Sequence, residues 1–200
     1  MVQAAKRIQY GPTAGVLHWL TVLLVVVAWA MARFGEQLFD EGIDALHTAT
    51  AIGLGLHLWT GLAVLAIAVL RLRWRIANPP PPPDANKFSR WLVSWTDPSA
   101  LWTHYLLYTL LFAVPLVGIL LLVSEGKVLS AFGSADITPQ FGITAGITRN
   151  LRHLHVLLAN TLVIVAVFHA TTAFLHHVVF GDGTLARMVP WLRKDDPTTR

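Results

Sequence analysis

The residues best suited to chemistry in this sequence are histidines that lie within long apolar stretches. Residues 154–180 hold four of them, and between 156 and 175 only His169 can carry a charge. His155 and His169 are fourteen residues apart. On a helix this spacing places them within roughly 40° of one face and about 21 Å apart along the axis. One helix therefore presents two imidazoles at two depths.

A histidine inside a membrane span is costly and usually faces the bundle interior or a water-filled cavity, so a functional role is the first interpretation. For any single histidine, the alternative is a ring that is hydrogen-bonded to a neighbouring helix and contributes only to packing. Two histidines on one helix face point instead to partners elsewhere in the chain.

The composition is too apolar for an ordinary soluble domain. Of the 200 residues, 54% are hydrophobic and only 13% are charged, as in an integral membrane protein. Cysteine is absent, which excludes disulfides, iron–sulfur clusters and thiolate-ligated haem. The net charge of +4 comes from basic residues spread over the loops that flank the apolar runs. That distribution indicates orientation in a membrane and no nucleic-acid binding.

Four apolar runs are long enough to cross a bilayer, at about residues 14–32, 48–70, 105–123 and 154–180. We therefore expect an all-α membrane protein in which residues 1–200 form a single domain, a four-transmembrane-helix bundle. The first two spans each contain one ionisable group, His18 and His57, and His104 lies at the mouth of the third. A signal peptide is the alternative for the first run, but its cleavage would discard His18.

Between the second and third spans the sequence predicts no further core element. Pro79 to Pro83 form a stiff, solvated polyproline segment. Residues 88–95 carry apolar side chains at helical spacing, which predicts an amphipathic turn or two in the membrane interface that ends near Asp97-Pro98. Packing of this segment against the bundle as a loop is the alternative.

The basic residues set the orientation. Eleven lysines and arginines lie in the N-terminus, the second loop and the C-terminus, against four in the other two loops. The positive-inside rule then places both termini in the cytoplasm. With this orientation His18 and His169 both lie toward the cytoplasmic side, whereas His57 and His155 both lie toward the outer side. Each of these two pairs can meet across the bundle.

Two histidine pairs at two depths suit two b-type haems, because each iron takes one imidazole from each of two helices. Zinc is the other metal that these histidines could bind, but a structural zinc site requires four clustered ligands and a catalytic zinc site three. A proton or ion pathway would normally show carboxylates within the spans, and these spans contain none.

Motifs in all four spans resemble a known family. The first span contains LHWL, and the second contains a single histidine followed fourteen residues later by Arg71. The third contains HYLLYTLLFAVPLVG. The fourth contains two histidines fourteen residues apart and then HH, and GDGTLARMVP follows it. This pattern is similar to the bacterial cytochrome b561 family and, within it, to the membrane-bound superoxide oxidase type. The resemblance implies an inner-membrane protein with two b-type haems. His18 and His169 would bind the iron of the cytoplasmic haem, and His57 and His155 the iron of the outer one, the same pairs that depth predicts.

The cytoplasmic side carries further imidazoles. His104, His177 and Arg71 lie near the inner haem in this arrangement, and quinone reduction takes two electrons and two protons. Because imidazoles titrate in the range where such protons are transferred, we hypothesise that His104 and His177 flank a ubiquinone head group there. The alternative is that both histidines anchor helix ends at the interface.

The outer side carries basic residues near His155. Arg149, Arg152 and Lys127 would attract a small anion to this end of the bundle. The resemblance implies that the anion is superoxide, whose electron passes through the outer haem toward ubiquinone. The alternative for Arg149 and Arg152 is pairing with haem propionates.

Two other functions remain open at this point. The first is a haem-bearing relay subunit that passes electrons from a periplasmic redox partner to the quinone pool. The second is a structural or transport bundle with satisfied histidines, which would bind no haem. The sequence does not decide the oligomeric state.

Overall fold

Four long α-helices make up the computed structural model, and the described part contains no β-strand. The structure describes residues 11–40, 46–78, 87–125 and 144–179 with Leu185, Met188 and Val189, and describes side chains over 11–33, 53–78, 100–125 and 144–179. The helices are α1 (Pro12–Asp40), α2 (Leu46–Ala77), α3 (Lys87–Ser124) and α4 (Ala145–Val178). Lys127 and the predicted polyproline segment, Pro79 to Pro83, lie outside the described residues.

The helix ends follow from local sequence. Pro12 occupies the first position of α1, where its missing N–H costs no helical hydrogen bond. After α2, the backbone N–H of Asn78 bonds to the Trp74 carbonyl at 2.8 Å and its side-chain amide donates to the same oxygen at 3.1 Å. Because Pro79 follows, the residue before it is driven out of helical geometry. Thr144 precedes α4 in an extended conformation, with φ −72° and ψ 149°.

All four helices contain an apolar stretch long enough to cross a membrane. These stretches are Pro12–Arg33, Gly53–Ala77, Ala100–Ser124 and Ala145–Val178. The prediction of four membrane-spanning helices is thus confirmed, although each helix is longer than the predicted span. The fourth helix begins at Ala145 rather than near 154, so Arg149 and Arg152 lie in the first turns of α4 and not in a loop.

The predicted break before the third span does not exist. Helix α3 runs without interruption from Lys87 through Asp97 and Pro98 to Ser124, so the expected separate interfacial segment is part of the same helix. A proline inside a helix removes one backbone hydrogen bond and crowds one carbonyl, which is a local cost. A long apolar helix on the C-terminal side of Pro98 can absorb that cost, as membrane helices commonly do.

The bundle consists of two antiparallel hairpins, α1 with α2 and α3 with α4, which contact each other less closely than the helices within each hairpin. The shared core comes from α2, α3 and α4, and its buried residues are Val64, Ala68, Leu110, Leu111 and Leu162. Trp29 on α1 donates to the amide oxygen of Asn160 on α4 at 3.4 Å, which joins the two hairpins.

Large apolar side chains remain exposed along every helix, including Leu23, Leu54, Leu120 and Ile164. In water such a surface would be unfavourable, whereas acyl chains solvate it well. Threonine hydroxyls within the spans donate to carbonyls of their own helix; that of buried Thr21 donates to the Leu17 carbonyl at 2.7 Å. This is the pattern of a bundle whose outer surface faces lipid.

Candidate functional site

His57 and His155 face each other between the two hairpins. Their ring centroids are 6.0 Å apart and their planes cross at 89°. His57 comes from α2 and His155 from α4, so each hairpin contributes one imidazole. The structure therefore brings together two histidines that lie almost one hundred residues apart in the sequence, as the depth argument predicted.

Backbone carbonyls orient both rings of this pair. The Nδ1 atom of His57 lies 2.8 Å from the carbonyl oxygen of Ala28 on α1. The Nδ1 atom of His155 lies 3.0 Å from the carbonyl oxygen of Val114 on α3. Since a carbonyl can only accept, each Nδ1 carries the proton and donates it. In a neutral imidazole Nε2 is then the free acceptor, which is the tautomer that metal binding through Nε2 requires.

The spacing of the two rings also suits a shared metal atom. A first-row metal binds an imidazole nitrogen at about 2.0–2.1 Å, so two opposed imidazoles on one metal have centroids about 6 Å apart. The observed separation of 6.0 Å matches this value. The chemistry and spacing of this pair therefore fit two histidines that would bind one iron.

Gly118 on α3 makes room for the His155 ring. A Cβ atom at this position would lie 2.9 Å from Cε1 and 3.3 Å from Nδ1 of His155. Gly118 follows Val114 by one helical turn, so its missing side chain opens the path by which the imidazole reaches the Val114 carbonyl. Sequence reasoning did not single out Gly118. The available signal was a glycine within an apolar span, which generally indicates close packing.

The histidines near the other end of the bundle are arranged differently. His169 on α4 lies against His104 on α3, with ring centroids 5.0 Å apart and planes at 78°. His104 donates from Nδ1 to the carbonyl oxygen of Ala100, 2.6 Å away in its own helix, so its Nε2 is the acceptor. The ring contact of His169 in the described chain is thus with a neighbour in its own hairpin.

His18 on α1 is held by an arginine. The Nη2 atom of Arg71 donates to Nδ1 of His18 at 2.8 Å, and the indole of Trp19 meets the imidazole edge-on at a centroid distance of 5.3 Å. His104 and His169 both lie within electrostatic range of His18. We call His18, His104 and His169 the three-histidine cluster. Because Nδ1 of His18 accepts here, its tautomer differs from that of His57 and His155.

His177 lies in the last turn of α4. Its Nδ1 atom is buried and has no hydrogen-bond partner among the described residues. It follows His169 by eight residues, which is about 12 Å along the helix. Buried polar atoms without a hydrogen-bond partner are rare in folded proteins, so this nitrogen is a candidate contact for a bound group.

A tyrosine and a second arginine also belong to this end of the bundle. The Cζ atoms of Arg71 and Arg75 lie 5.7 and 6.0 Å from the ring centroid of Tyr108. Arg71 therefore joins His18 of the first hairpin to Tyr108 of the second. Sequence analysis selected Arg71 but missed Tyr108 and Arg75, because nothing in a single sequence shows that α2 and α3 meet at these positions.

The basic residues at the opposite end are partly neutralised. Arg152 forms a salt bridge with Glu125, which directly follows α3. Both Arg149 and Arg152 lie near the N-terminus of α4, where the helix dipole disfavours cations, so the carboxylate stabilises Arg152. Arg149 is exposed. Sequence analysis overlooked Glu125, although an acid at the end of a span close in depth to these arginines was visible.

The His57–His155 pair and the three-histidine cluster lie at two depths of one bundle. Ala28, which anchors His57, follows His18 by ten residues on α1, and His169 follows His155 by fourteen on α4. The axial separation of the two levels is therefore about 15–21 Å.

Comparison with known proteins identifies the family of the chain. Residues 9–191 match the family described as prokaryotic cytochrome b561. The chain is 30% identical over 178 residues to a protein of Yersinia pestis named probable superoxide oxidase CybB, which covers 87% of this chain and 92% of that protein.

Two proteins of Escherichia coli K12 match shorter stretches. Cytochrome b561 homolog 2 is 35% identical over 86 residues, which are 43% of this chain and 46% of that protein. Cytochrome b561 homolog 1 is 35% identical over 100 residues, which are 48% of this chain and 54% of that protein. The chain belongs to the prokaryotic cytochrome b561 family and is thus a multi-pass protein of the bacterial inner membrane, in the oxidoreductase and electron-transfer class, whose cofactor is b-type haem.

Proposed function

We propose that residues 1–200 form one di-haem domain that carries electrons from superoxide on the periplasmic side of the membrane to ubiquinone. The observation that supports this most strongly is the His57–His155 pair. Its rings are 6.0 Å apart, and because each Nδ1 donates to a backbone carbonyl, each hairpin contributes one Nε2 acceptor. These are the ligands that one b-type haem needs.

The residues present fit haem at this level. The donor set is two neutral imidazoles without a thiolate, and Gly118 leaves the space that the His155 ring occupies. Haem supplies, when bound, a centre that accepts and releases one electron at a time. The carbonyls of Ala28 and Val114 hold the rings in orientation and raise their basicity as ligands.

The second haem belongs, in this proposal, to His18 and His169. His18 must then present Nε2 to iron and carry its proton on Nδ1, where Arg71 now donates. Arg71 would therefore give up this hydrogen bond when the site is loaded. Its guanidinium is then available for an acceptor such as a haem carboxylate or a quinone oxygen.

Superoxide is the electron donor that the similarity to the Yersinia pestis protein supports, since that protein is named a probable superoxide oxidase. Two superoxide ions each lose one electron and become dioxygen. The two electrons, together with two protons, convert one ubiquinone to ubiquinol. Arg149 and Lys127, with Arg152 beside its partner Glu125, supply the positive charge that draws the anion to the periplasmic end.

The ubiquinone head group is placed, in this proposal, at the cytoplasmic end between His104 and His177, with Arg71 nearby. The buried Nδ1 of His177, which has no hydrogen-bond partner among the described residues, supports this position, because a quinone oxygen would complete its hydrogen bonding. Both imidazoles can transfer protons near neutral pH. This arrangement requires both chain termini to be cytoplasmic, as the positive-inside rule predicts.

The haem content of the purified protein tests the proposal. We expect about two haems per chain from the reduced-minus-oxidised spectrum, with one lost in His57→Ala and one in His169→Ala. His153→Ala is the matched control, because His153 is an exposed histidine on α4, the helix that also carries His169. No haem, or a count that both substitutions leave unchanged, would refute the proposal.

Superoxide-driven ubiquinone reduction tests the donor separately. The purified protein in detergent is given a superoxide-generating system and a soluble ubiquinone, and ubiquinol formation is followed with and without superoxide dismutase. We expect dismutase to abolish the reaction. If the protein binds two haems but forms no ubiquinol from superoxide, it remains a cytochrome and superoxide is not its electron donor.

One observation favours a relay subunit as the second candidate. Glu125 neutralises Arg152, so the periplasmic end is less positive than the sequence indicates. A less positive end attracts a small anion more weakly, so a protein donor that docks there is the alternative. Co-purification of a periplasmic dehydrogenase or cytochrome that reduces the haems would support this alternative.

A further inference from the structure

Asn160 lies on a face of α4 that the proposed electron path does not use. At about 100° per residue, it is about 140° from His155 and about 180° from His169 around the helix axis. Asn160 is exposed, whereas both histidines are partly buried. Because the histidines face the interior of the bundle, the Asn160 side chain points outward.

The depth of Asn160 in the membrane is unusual for an exposed amide. Arg152 is the nearest residue on α4 with a permanent charge, and it precedes Asn160 by about 12 Å along the axis. In the other direction, α4 continues for about 27 Å to Val178. Lipid head groups lie outside the hydrocarbon, so acyl chains are the only lipid groups that reach this side chain. An amide at this depth needs protein groups to complete its hydrogen bonds.

The hydrogen bonding of Asn160 is incomplete. Its Oδ1 atom accepts from the indole Nε1 of Trp29 on α1 at 3.4 Å. The oxygen has a second lone pair, and Nδ2 carries two hydrogens. Among the described residues, these hydrogens have no acceptor. One carboxamide therefore offers both a donor and an acceptor, which makes it complementary to a second copy of itself.

Other polar side chains nearby on α4 need no such partner. The hydroxyls of Thr161 and Thr171 each donate to a carbonyl of α4 itself at 2.8 Å. The carboxamide of Asn160 makes no comparable bond to its own helix in the described chain. Asn160 is therefore the side chain on this face that requires a partner from outside α4.

The residues in line with Asn160 form a continuous exposed face. Leu157 precedes Asn160 by three residues, and Ile164 and Val167 follow it by four and seven. Spacings that alternate between three and four residues are the repeat by which one helix packs along another in a coiled coil. We call the exposed residues in this register the α4 face: Leu157, Asn160, Ile164, Val167, Thr171 and Phe174.

We propose that the α4 face binds the α4 face of a second copy of this chain and forms a two-fold symmetric dimer in the membrane. Two copies inserted with the same orientation have parallel α4 helices, so each Asn160 meets the other at one depth. Nδ2 of each carboxamide donates to the free lone pair of the other, and Trp29 keeps its own bond. Asparagine side chains associate membrane helices in this way. The dimer leaves the histidine side of α4 untouched and does not depend on the proposed function.

Energy transfer between donor-labelled and acceptor-labelled chains in liposomes tests the proposal. We expect the unmodified chain to dimerise and Asn160→Leu to weaken the dimer about tenfold, since leucine keeps the size of the side chain and removes its hydrogen bonds. Asn150→Leu is the matched control, because Asn150 is an exposed asparagine near the beginning of α4. It should change the affinity by no more than about twofold.

Cross-linking tests the position of the interface. The chain has no cysteine, so a single introduced cysteine reports on one position. Under oxidation in the membrane, Ile164→Cys should form a dimer joined by a disulfide. Leu120→Cys should not, because Leu120 is similarly exposed in the apolar stretch of α3 but lies outside the α4 face.

Three results would overturn the proposal. The first is a chain that stays monomeric at every protein-to-lipid ratio, which would leave the Asn160 amide to a small molecule such as a quinone. The second is a dimer that Asn160→Leu leaves intact or strengthens, since apolar contacts would then suffice. The third is equal cross-linking through positions 164 and 120, which would indicate random collision. If Asn160→Leu does not fold, as judged by circular dichroism, Asn160→Ala and the cross-linking pair make the same decision.

Discussion

The His155 ring on α4 rests directly on the backbone of α3 at Gly118. A Cβ atom at position 118 would lie 2.9 Å from Cε1 of the ring, closer than real Cβ atoms approach a neighbour. The contact allows the ring to donate to the Val114 carbonyl at 3.0 Å. Gly118 is therefore a positioning residue for His155, and the helix backbone, rather than a side chain, sets the direction of this imidazole.

Replacing Gly118 with Ala should displace the His155 ring. We expect loss or spectral alteration of one of the two proposed haems and destabilisation by about 1–3 kcal/mol, the usual cost of forcing atoms into a packed site. Reduced-minus-oxidised spectra and thermal unfolding measure the two effects. Gly61→Ala is the control, because no atom lies within 4 Å of a Cβ there. If both substitutions left haem content and spectrum unchanged, Gly118 would have no positioning role.

His18→Ala and His104→Ala distinguish the two imidazoles that lie near His169. We expect His18→Ala to lose one haem and His104→Ala to keep both, with slower reduction of ubiquinone by the reduced haems. The reason is that His104 belongs, in the proposed function, to the quinone site. Haem counting and stopped-flow quinone reduction provide the two readouts. If His104→Ala lost one haem and His18→Ala lost none, His104 and His169 would be the two ligands of that haem, as their 5.0 Å ring contact allows.

If the proposed function is correct, Glu125→Gln should increase the attraction of superoxide to the end of the bundle that carries Arg152. The substitution removes the charge that neutralises Arg152, so electrostatic steering is stronger. We expect the second-order rate constant with superoxide to rise about two- to fivefold at low ionic strength and the gain to shrink in high salt. Arg149→Gln should lower the same constant. A rate that neither substitution nor salt affects would show that these residues do not steer the donor.

Ala68→Leu should destabilise the bundle. Ala68 on α2 is fully buried in the shared core, and overpacking of a core costs about 1–3 kcal/mol. Ala66→Leu on the same helix is the control, since Ala66 is exposed to the lipid side. Thermal unfolding in detergent should show a lower midpoint for Ala68→Leu alone. Equal midpoints would mean that this part of the core is loosely packed.

The sequence alone determined the elements and the depths of the histidines. Apolar length and hydropathy are local properties, so four membrane helices were predictable without tertiary contacts. The constant rise of a helix also fixed the fourteen-residue relation of His155 to His169, and thereby the two levels of the bundle. Helix ends were less predictable, because Pro98 resembles a stop signal although α3 continues through it.

Tertiary structure decided which groups meet at each level. Depth predicts which residues are at the same height, whereas contact depends on how each helix is rotated about its axis. This rotation places His169 against His104 and brings Arg71 to His18. The carbonyls of Ala28 and Val114 carry no sequence signal, since every residue has a carbonyl. They accept hydrogen bonds from imidazoles only because the packing of each hairpin places a histidine beside them.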